Sequence, residues 1–204
     1  GINDVYPYKN MFKEGWGNEK QFTKRVLVSK NTRHNNLNSK EHINLEVSCL
    51  KKLEKNYKCI CKKKRQHFPR ILNINYNKGI FIKYDDIILT HQGKSLKDLT
   101  PKDIKFIKNK NINFDEQIHC IISNLKRNEI IHTDIFRNNI TINKNGDLSL
   151  IDFNRAYLKG FSSKNYDKNL KKQISDGYWF YKKKKRGLSP NSYDEIEVFL
   201  NKLI

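Results

Sequence analysis

The chain has 204 residues and carries 41 Lys and Arg against 21 Asp and Glu, a formal net charge of +20. That length is one domain's worth of chain, enough to bury roughly two thirds of the surface an unfolded chain exposes. No apolar run reaches membrane-spanning length and no cleavable signal is visible, although a start at Gly1 rather than methionine leaves a trimmed targeting segment open.

In chain order, Val26-Leu27-Val28-Ser29-Lys30 alternates as a strand does, with Val26, Val28 and Lys30 on one face. Leu45, Cys49, Leu50 and Leu53 then recur at helical intervals around Glu46 and predict a helix. Short apolar runs at 68–74, 80–82 and 87–90, broken by Asn, Lys-Gly and Asp-Asp, read as strands of a small antiparallel sheet. A further helix is predicted over 113–128. Phe114, Ile118, Ile121, Ile122 and Leu125 make its stripe, and Asn113 with Glu116 can cap its start.

The stretch 131–153 carries the chemistry. Ile140 and Ile142, an Asn145-Gly146 turn, then Leu148, Leu150 and Ile151 predict a hairpin, because an Asn-Gly pair favours the tight turn whose twist suits two antiparallel strands. Closing it brings Asn139 and Asp152 side by side at the open end, with Asp134 five residues upstream. Asn139 and Asp152 can then hold a divalent cation while Asp134 faces an incoming hydroxyl. Farther on, a helix is predicted from Ser192, with Glu195 as capping partner and Ile196, Phe199, Leu200 and Leu203 on one face.

The four cysteines suggest neither a disulfide framework nor a zinc site. Cys59-Ile60-Cys61 is too closely spaced for a normal metal knuckle, and Cys49 and Cys120 fall on apolar helix faces, so buried or idle thiols in a reducing cytoplasm are expected. The basic runs at 62–65 and 182–186 have two readings. They could meet nucleic acid, an anionic membrane surface or a phosphorylated sugar. Equally, a Lys-, Asn- and Ile-rich chain reflects a nucleotide-biased genome, with its lysines on solvated faces. Tyr178, Trp179, Phe180 and Tyr181 precede the second run and read as core packing or as a membrane-surface or stacking element.

His132-Thr133-Asp134, four residues, Asn139, then Ile151-Asp152-Phe153 resembles the catalytic loop and metal-binding motif of the protein-kinase-like superfamily. The resemblance implies an α+β, bilobal fold: an antiparallel-sheet N-lobe with one helix over 1–91, and a truncated, mainly helical C-lobe over 92–204. It implies an ATP-dependent phosphotransferase that moves the γ-phosphoryl group to a hydroxyl on a protein, sugar or lipopolysaccharide, with Mg2+ (or Mn2+) as the cation. Asn139 and Asp152 are its metal ligands and Asp134 faces the acceptor. Lys30 grips phosphate, Val28 roofs the adenine, and Glu46 pairs with the lysine, Glu41 being the fallback. Gly15-Trp16-Gly17 is a reduced glycine-rich loop, and Leu89, Thr90 and His91 form the hinge at the adenine edge, just before residues 92–99 enter the large lobe. His132 ties the catalytic loop to the segment around Asp152.

Within that superfamily, His132-Thr133-Asp134 and Ile151-Asp152-Phe153-Asn154-Arg155-Ala156 look most like the Kdo kinases of the lipopolysaccharide core; RIO kinases and the small kinase of the tRNA-modifying KEOPS complex are similar in their brevity. The chain departs from the regulated pattern in several places. Thr133 stands where those kinases carry an arginine, Asn154 replaces a glycine, and no Ala-Pro-Glu signature follows. A cytoplasmic enzyme, or one peripheral to an anionic membrane surface, is expected. The alternatives are a pseudokinase that keeps the fold as a scaffold, and a basic nucleic-acid-binding module.

Overall fold

The computed structural model describes residues 21–27, 39–78 and 84–162. Gly15, Gly17, Val28, Lys30, the 80–82 run, the aromatic cluster at 178–181, the second basic run and the helix from Ser192 all lie outside the described residues.

Three strands form the first sheet: β1 (Gln21–Leu27), β2 (Ile71–Lys78) and β3 (Tyr84–Thr90), antiparallel in the order β1-β3-β2. β1 pairs with β3 so that Phe22 lies opposite Leu89 and Lys24 opposite Ile87. Directly opposed residues share a face of an antiparallel pair. Lys24 therefore enters the layer of Ile87 and Leu89, both in the core. The helix α1 (Ser39–Lys55) connects β1 to β2 and packs on that sheet. Leu45, Cys49, Leu50 and Leu53 are buried as their periodicity predicts, and Glu46 is buried among them.

After β3 the chain crosses through residues 91–93 to β4 (Lys94–Ser95), then enters α2 (Pro101–Lys108) and α3 (Phe114–Asn128). The crossing is fixed by side chains. Gln92 donates to Thr90 Oγ1 at 2.7 Å, and its Oε1 accepts from Ser149 Oγ at 2.8 Å, so one amide clamps the first sheet to the second. Thr100 caps α2 in a reciprocal capping box with Asp103, and Pro101 opens the helix. Asn113 caps α3 by accepting from the Glu116 amide at 3.0 Å.

α3 delivers the chain to β5 (Ile130–Ile131), which pairs with β8 (Tyr157–Leu158) through Ile130↔Leu158 and Ile131↔Tyr157. This two-stranded clasp pins together the ends of the 132–156 stretch. Inside it, β6 (Ile140–Ile142) and β7 (Leu148–Leu150) form the predicted hairpin, extended by β4 on the far side of β6. The turn differs from the two-residue form. Gly146 N donates to Asn143 O at 2.9 Å, which puts Lys144 and Asn145 at the centre. Gly146 follows with φ +82, and Asn143 Oδ1 accepts from the amides of Asn145 and Asp147. Asn143 builds its own turn by side-chain capping and so displaces Asn145-Gly146 from the centre.

A column of rings joins the layers. Tyr57 meets Phe68 and Phe68 meets Phe153, each at 6.0 Å between centroids, and Phe153 meets His132 at 4.7 Å, all edge to face. Such pairs contribute about 0.5–1.5 kcal/mol beyond area burial. His132 is fully buried. Its Nε2 lies 2.9 Å from the Ile151 carbonyl, which can only accept, and its Nδ1 lies 3.3 Å from the Asp134 amide, which can only donate. Those partners require the neutral ring with the proton on Nε2. Burial pushes the imidazole below its ordinary 6.5, against the Ile151 carbonyl, which favours the cation.

Two predictions follow from these contacts. Because the folded imidazole resists protonation, the unfolded chain binds the extra proton first as pH falls through 6.5. The His132 contribution is therefore whole above that pH and declines below it, by up to about 1.4 kcal/mol per pH unit. Urea melts from pH 7.5 to 5.5 should show this loss, and His132→Gln should remove that part of the slope; an identical slope in the variant would refute it. At Gly93, φ is +97 and an added Cβ would sit 2.2 Å from the Ile142 carbonyl oxygen. Gly93→Ala should lower stability by at least about 2 kcal/mol, since both the backbone region and the space refuse a side chain; an unchanged urea midpoint would count against it.

Candidate active site

The site is organised by one ammonium group. Lys24 Nζ donates to Glu46 Oε2 and to Asp152 Oδ1, each at 2.6 Å. Lys24 is reached from β1, Glu46 from α1, and Asp152 from the end of the β6–β7 hairpin, so this contact joins three separate parts of the chain. The role expected of Lys30, an ammonium facing Glu46, is held by Lys24. Phe22-Thr23-Lys24 and Val28-Ser29-Lys30 both place an apolar residue two positions before a lysine, so spacing alone does not separate the two, and Lys30 lies outside the described residues. β1 is paired in the register that turns Lys24 inward, opposite Ile87. The usable signal was that Phe22 lies too close to Lys30 for a two-strand hairpin between them. Glu46 is the lysine's partner on α1; Glu41, the fallback, is half-buried elsewhere on the helix.

The two carboxylates respond differently to sharing one cation. At Glu46, whose side chain is 2% exposed, burial raises the pKa more than Lys24 lowers it, and the Asp152 charge adds to the rise. At Asp152, 23% exposed, burial also pushes upward, but the charge and hydrogen bond of Lys24 outweigh it and the carboxyl is held below its ordinary range. Asp152 is thus the more readily ionised of the two.

Asp152 adopts φ +68 and Thr133 φ +61, left-handed conformations that non-glycine residues seldom take and that cluster at functional sites. Both are held by their surroundings. Ile151 N donates to Asn139 O at 2.9 Å, which sets position 152 beside position 139 as the hairpin predicted. Thr133 Oγ1 donates to the Arg155 carbonyl at 2.5 Å, so the residue standing in for an arginine fastens the segment beyond Asp152 directly.

Asn139 is almost wholly buried. Its Nδ2 donates to the Asp134 carbonyl at 2.7 Å and leans toward Asp134 Oδ2 at 3.3 Å. With the nitrogen committed to Asp134, Oδ1 is the end of the amide that can serve a cation. Asp134 is partly exposed, and Arg155 Nη1 stands 4.0 Å from its Oδ2. A carboxylate and an amide carbonyl are the hard oxygen donors that Mg2+ prefers, so Asp152 and Asn139 fit such an ion chemically.

Leu89 and Thr90, two of the three residues expected at the hinge, fall at the end of β3. Leu89 is in the core opposite Phe22, and the Thr90 amide donates to the Arg70 carbonyl at 2.9 Å while Arg70 N donates to Thr90 Oγ1. His91 begins the crossing, and its Nδ1 accepts from Gly93 N at 3.2 Å. Cys59, Cys61 and Cys120, all free thiols, come together because the loop after α1 folds back against α3. Among the described residues, no helix is long and apolar enough to cross a membrane.

No curated protein matches the chain. The family model described as the lipopolysaccharide kinase (Kdo/WaaP) family matches residues 28–176, most of the chain, including α1, α3 and the whole 131–153 stretch. The match begins beyond Lys24, so that lysine is assigned by its contacts and not by likeness. With small antiparallel sheets and three helices among its described residues in a kinase-like arrangement, this chain belongs to the lipopolysaccharide kinase (Kdo/WaaP) family, a protein-kinase-like family of phosphotransferases.

Proposed function

We propose that the protein is a Mg-ATP-dependent kinase that phosphorylates a sugar hydroxyl of a lipopolysaccharide-type acceptor. The observation that carries this reading is Lys24 held between Glu46 and Asp152, with Asn139 bonded to Asp134 beside them. In this reading the chain divides near residue 92 into two lobes with the site between them. Lys24 binds phosphate oxygens, and Glu46 keeps its ammonium aimed at them. Phe22, two residues before Lys24, takes the adenine-roofing position expected of Val28, and the main chain of Leu89, Thr90 and His91 borders the adenine edge. Asp152 and Asn139 would hold magnesium. Bound there, magnesium-ATP supplies the phosphoryl group and a cation that neutralises its developing charge.

Asp134 orients the acceptor hydroxyl and receives its proton. Asn139 keeps that carboxylate in place through Nδ2, and Arg155 stands where it can steady Asp134 or an anionic group on the acceptor. An acceptor sugar bearing carboxylate or phosphate groups also suits a chain of net charge +20.

Substitutions separate these roles. Asp134→Asn should lower phosphotransfer by about 10²- to 10⁴-fold, the usual weight of a positioned base, with nearly unchanged nucleotide affinity. Asp152→Asn should also abolish the thermal shift given by magnesium-ATP. Lys24→Met should remove activity while Lys30→Met keeps most of it. The assay is transfer from labelled ATP to Kdo-bearing lipid A, run beside a generic protein substrate. Full transfer by Asp134→Asn would refute its assignment, and loss with Lys30→Met but not Lys24→Met would reverse the choice of lysine. Labelling of protein in preference to sugar would overturn the acceptor.

A further inference from the structure

Residues 56–70, between α1 and β2, contain neither helix nor strand, and loops of that length inside a compact domain need another source of order. Part of it is visible. Asn124 on α3 accepts from Lys58 N at 3.0 Å and donates to Lys58 O at 2.9 Å, which pins the loop to the helix. Beside that pin, the sulfurs of Cys59, Cys61 and Cys120 all lie within 4.8 Å of one another. His67 Nε2 stands 3.4 Å from Cys61 Sγ.

We propose that Cys59, Cys61 and Cys120, with His67 as fourth donor, form a structural zinc site that staples the loop to α3. Tetrahedral Zn2+ with sulfur at about 2.3 Å and nitrogen at about 2.0 Å sets sulfurs about 3.8 Å apart and sulfur to nitrogen about 3.5 Å apart. The thiols need to close by at most about 1 Å, and the Cys61–His67 separation already fits. The histidine is oriented for the task. His67 is buried, and its Nδ1 lies 2.6 Å from the Leu148 carbonyl. A carbonyl only accepts, so Nδ1 carries the hydrogen and Nε2 presents its lone pair toward Cys61 Sγ, the arrangement that metal-bound histidines take.

Cys59 and Cys120 are served better as acceptors than as donors, while Cys61 faces the lone pair of His67 Nε2. Arg65 N donates to Cys59 Sγ at 3.3 Å and Ile60 N to Cys120 Sγ at 3.5 Å, whereas the carbonyls open to S–H groups lie at 3.8–3.9 Å. Binding would exchange three thiol protons, released to solvent, for one Zn2+. The resulting unit charge of −1 sits beside the exposed Lys58, Lys62, Lys63 and Lys64. This gives the first basic run a local role. Cys–x–Cys spacing looked too tight because the other two donors come from elsewhere, His67 across the loop and Cys120 from α3.

The full chain, expressed with zinc and purified without chelator, should contain about one zinc per molecule by elemental analysis. After stripping, Co2+ should give the visible bands of a tetrahedral ion and the near-ultraviolet charge-transfer band of thiolate ligation. Cys59→Ser, Cys61→Ser and Cys120→Ser should each lose stoichiometric zinc. His67→Gln should weaken zinc by more than about 100-fold, since outer-shell partners alone are worth about 10- to 100-fold. Cys49→Ser, in α1 outside the cluster, should keep the metal. Because Cys120 is buried and its variant could misfold, half-buried Cys61 gives the deciding variant, with near-ultraviolet dichroism reporting its fold. Reduced, folded protein that holds no zinc and binds cobalt only octahedrally would overturn the proposal, as would full zinc content in Cys61→Ser. Full affinity in His67→Gln would overturn its place as fourth donor.

Discussion

The Lys24 ammonium is the contact on which the site depends. Glu46 and Asp152 come from chain segments far apart in sequence, and both are partly or wholly removed from water. Without a cation between them they would repel. Removing one partner from such a buried pair typically costs about 3–5 kcal/mol, because a charge is left uncompensated. The pair is therefore poor evidence for net stability but strong evidence for position: it fixes β1, α1 and the end of the hairpin relative to one another. With one cation shared by two carboxylates, Glu46 is the less easily ionised of the two and Asp152 the more easily.

Around that contact the remaining parts are held by the backbone. The β5–β8 clasp closes the 132–156 stretch, the hairpin sets Asn139 beside Asp152, and His132 joins the catalytic loop to Ile151 with both ring nitrogens satisfied. Thr133 then ties the loop to Arg155 through a neutral hydroxyl. A neutral hydrogen bond made by the chain itself does not wait for a phosphate group, as an arginine would. The local geometry is that of a site assembled by folding.

Much of this was legible in sequence because it is local. The α3 stripe and its Asn113 cap, the α1 periodicity around Glu46, and the hairpin between Asn139 and Asp152 are short-range patterns, and the structure contains each of them. The choice of lysine was not legible. Lys24 and Lys30 lie six positions apart in the sequence, each two residues after an apolar residue, so local pattern alone does not separate them; what the structure adds is the contact of Lys24 with Glu46. α2 follows residues 92–99, where the chain was expected to enter the large lobe, and Thr100-Pro101 with Asp103 three residues after the cap is a complete start signal. The thiol cluster could not be read from spacing, since it depends on how a loop without regular structure packs against α3.

The same loop also bears on the active site, because it is the continuation of α1. Asn56 Nδ2 donates to Asn128 Oδ1 at 2.9 Å, Asn124 grips Lys58, and Tyr57 enters the ring column through Phe68. These contacts bind the C-terminal end of α1 to α3, while Lys24 binds its middle to the sheet and to Asp152. A helix fixed at two points along its length cannot swing Glu46 away without breaking one attachment. Regulated kinases use that swing as a switch. Here Lys24 holds the middle of α1 and α3 holds its end, which keeps Glu46 beside the ammonium.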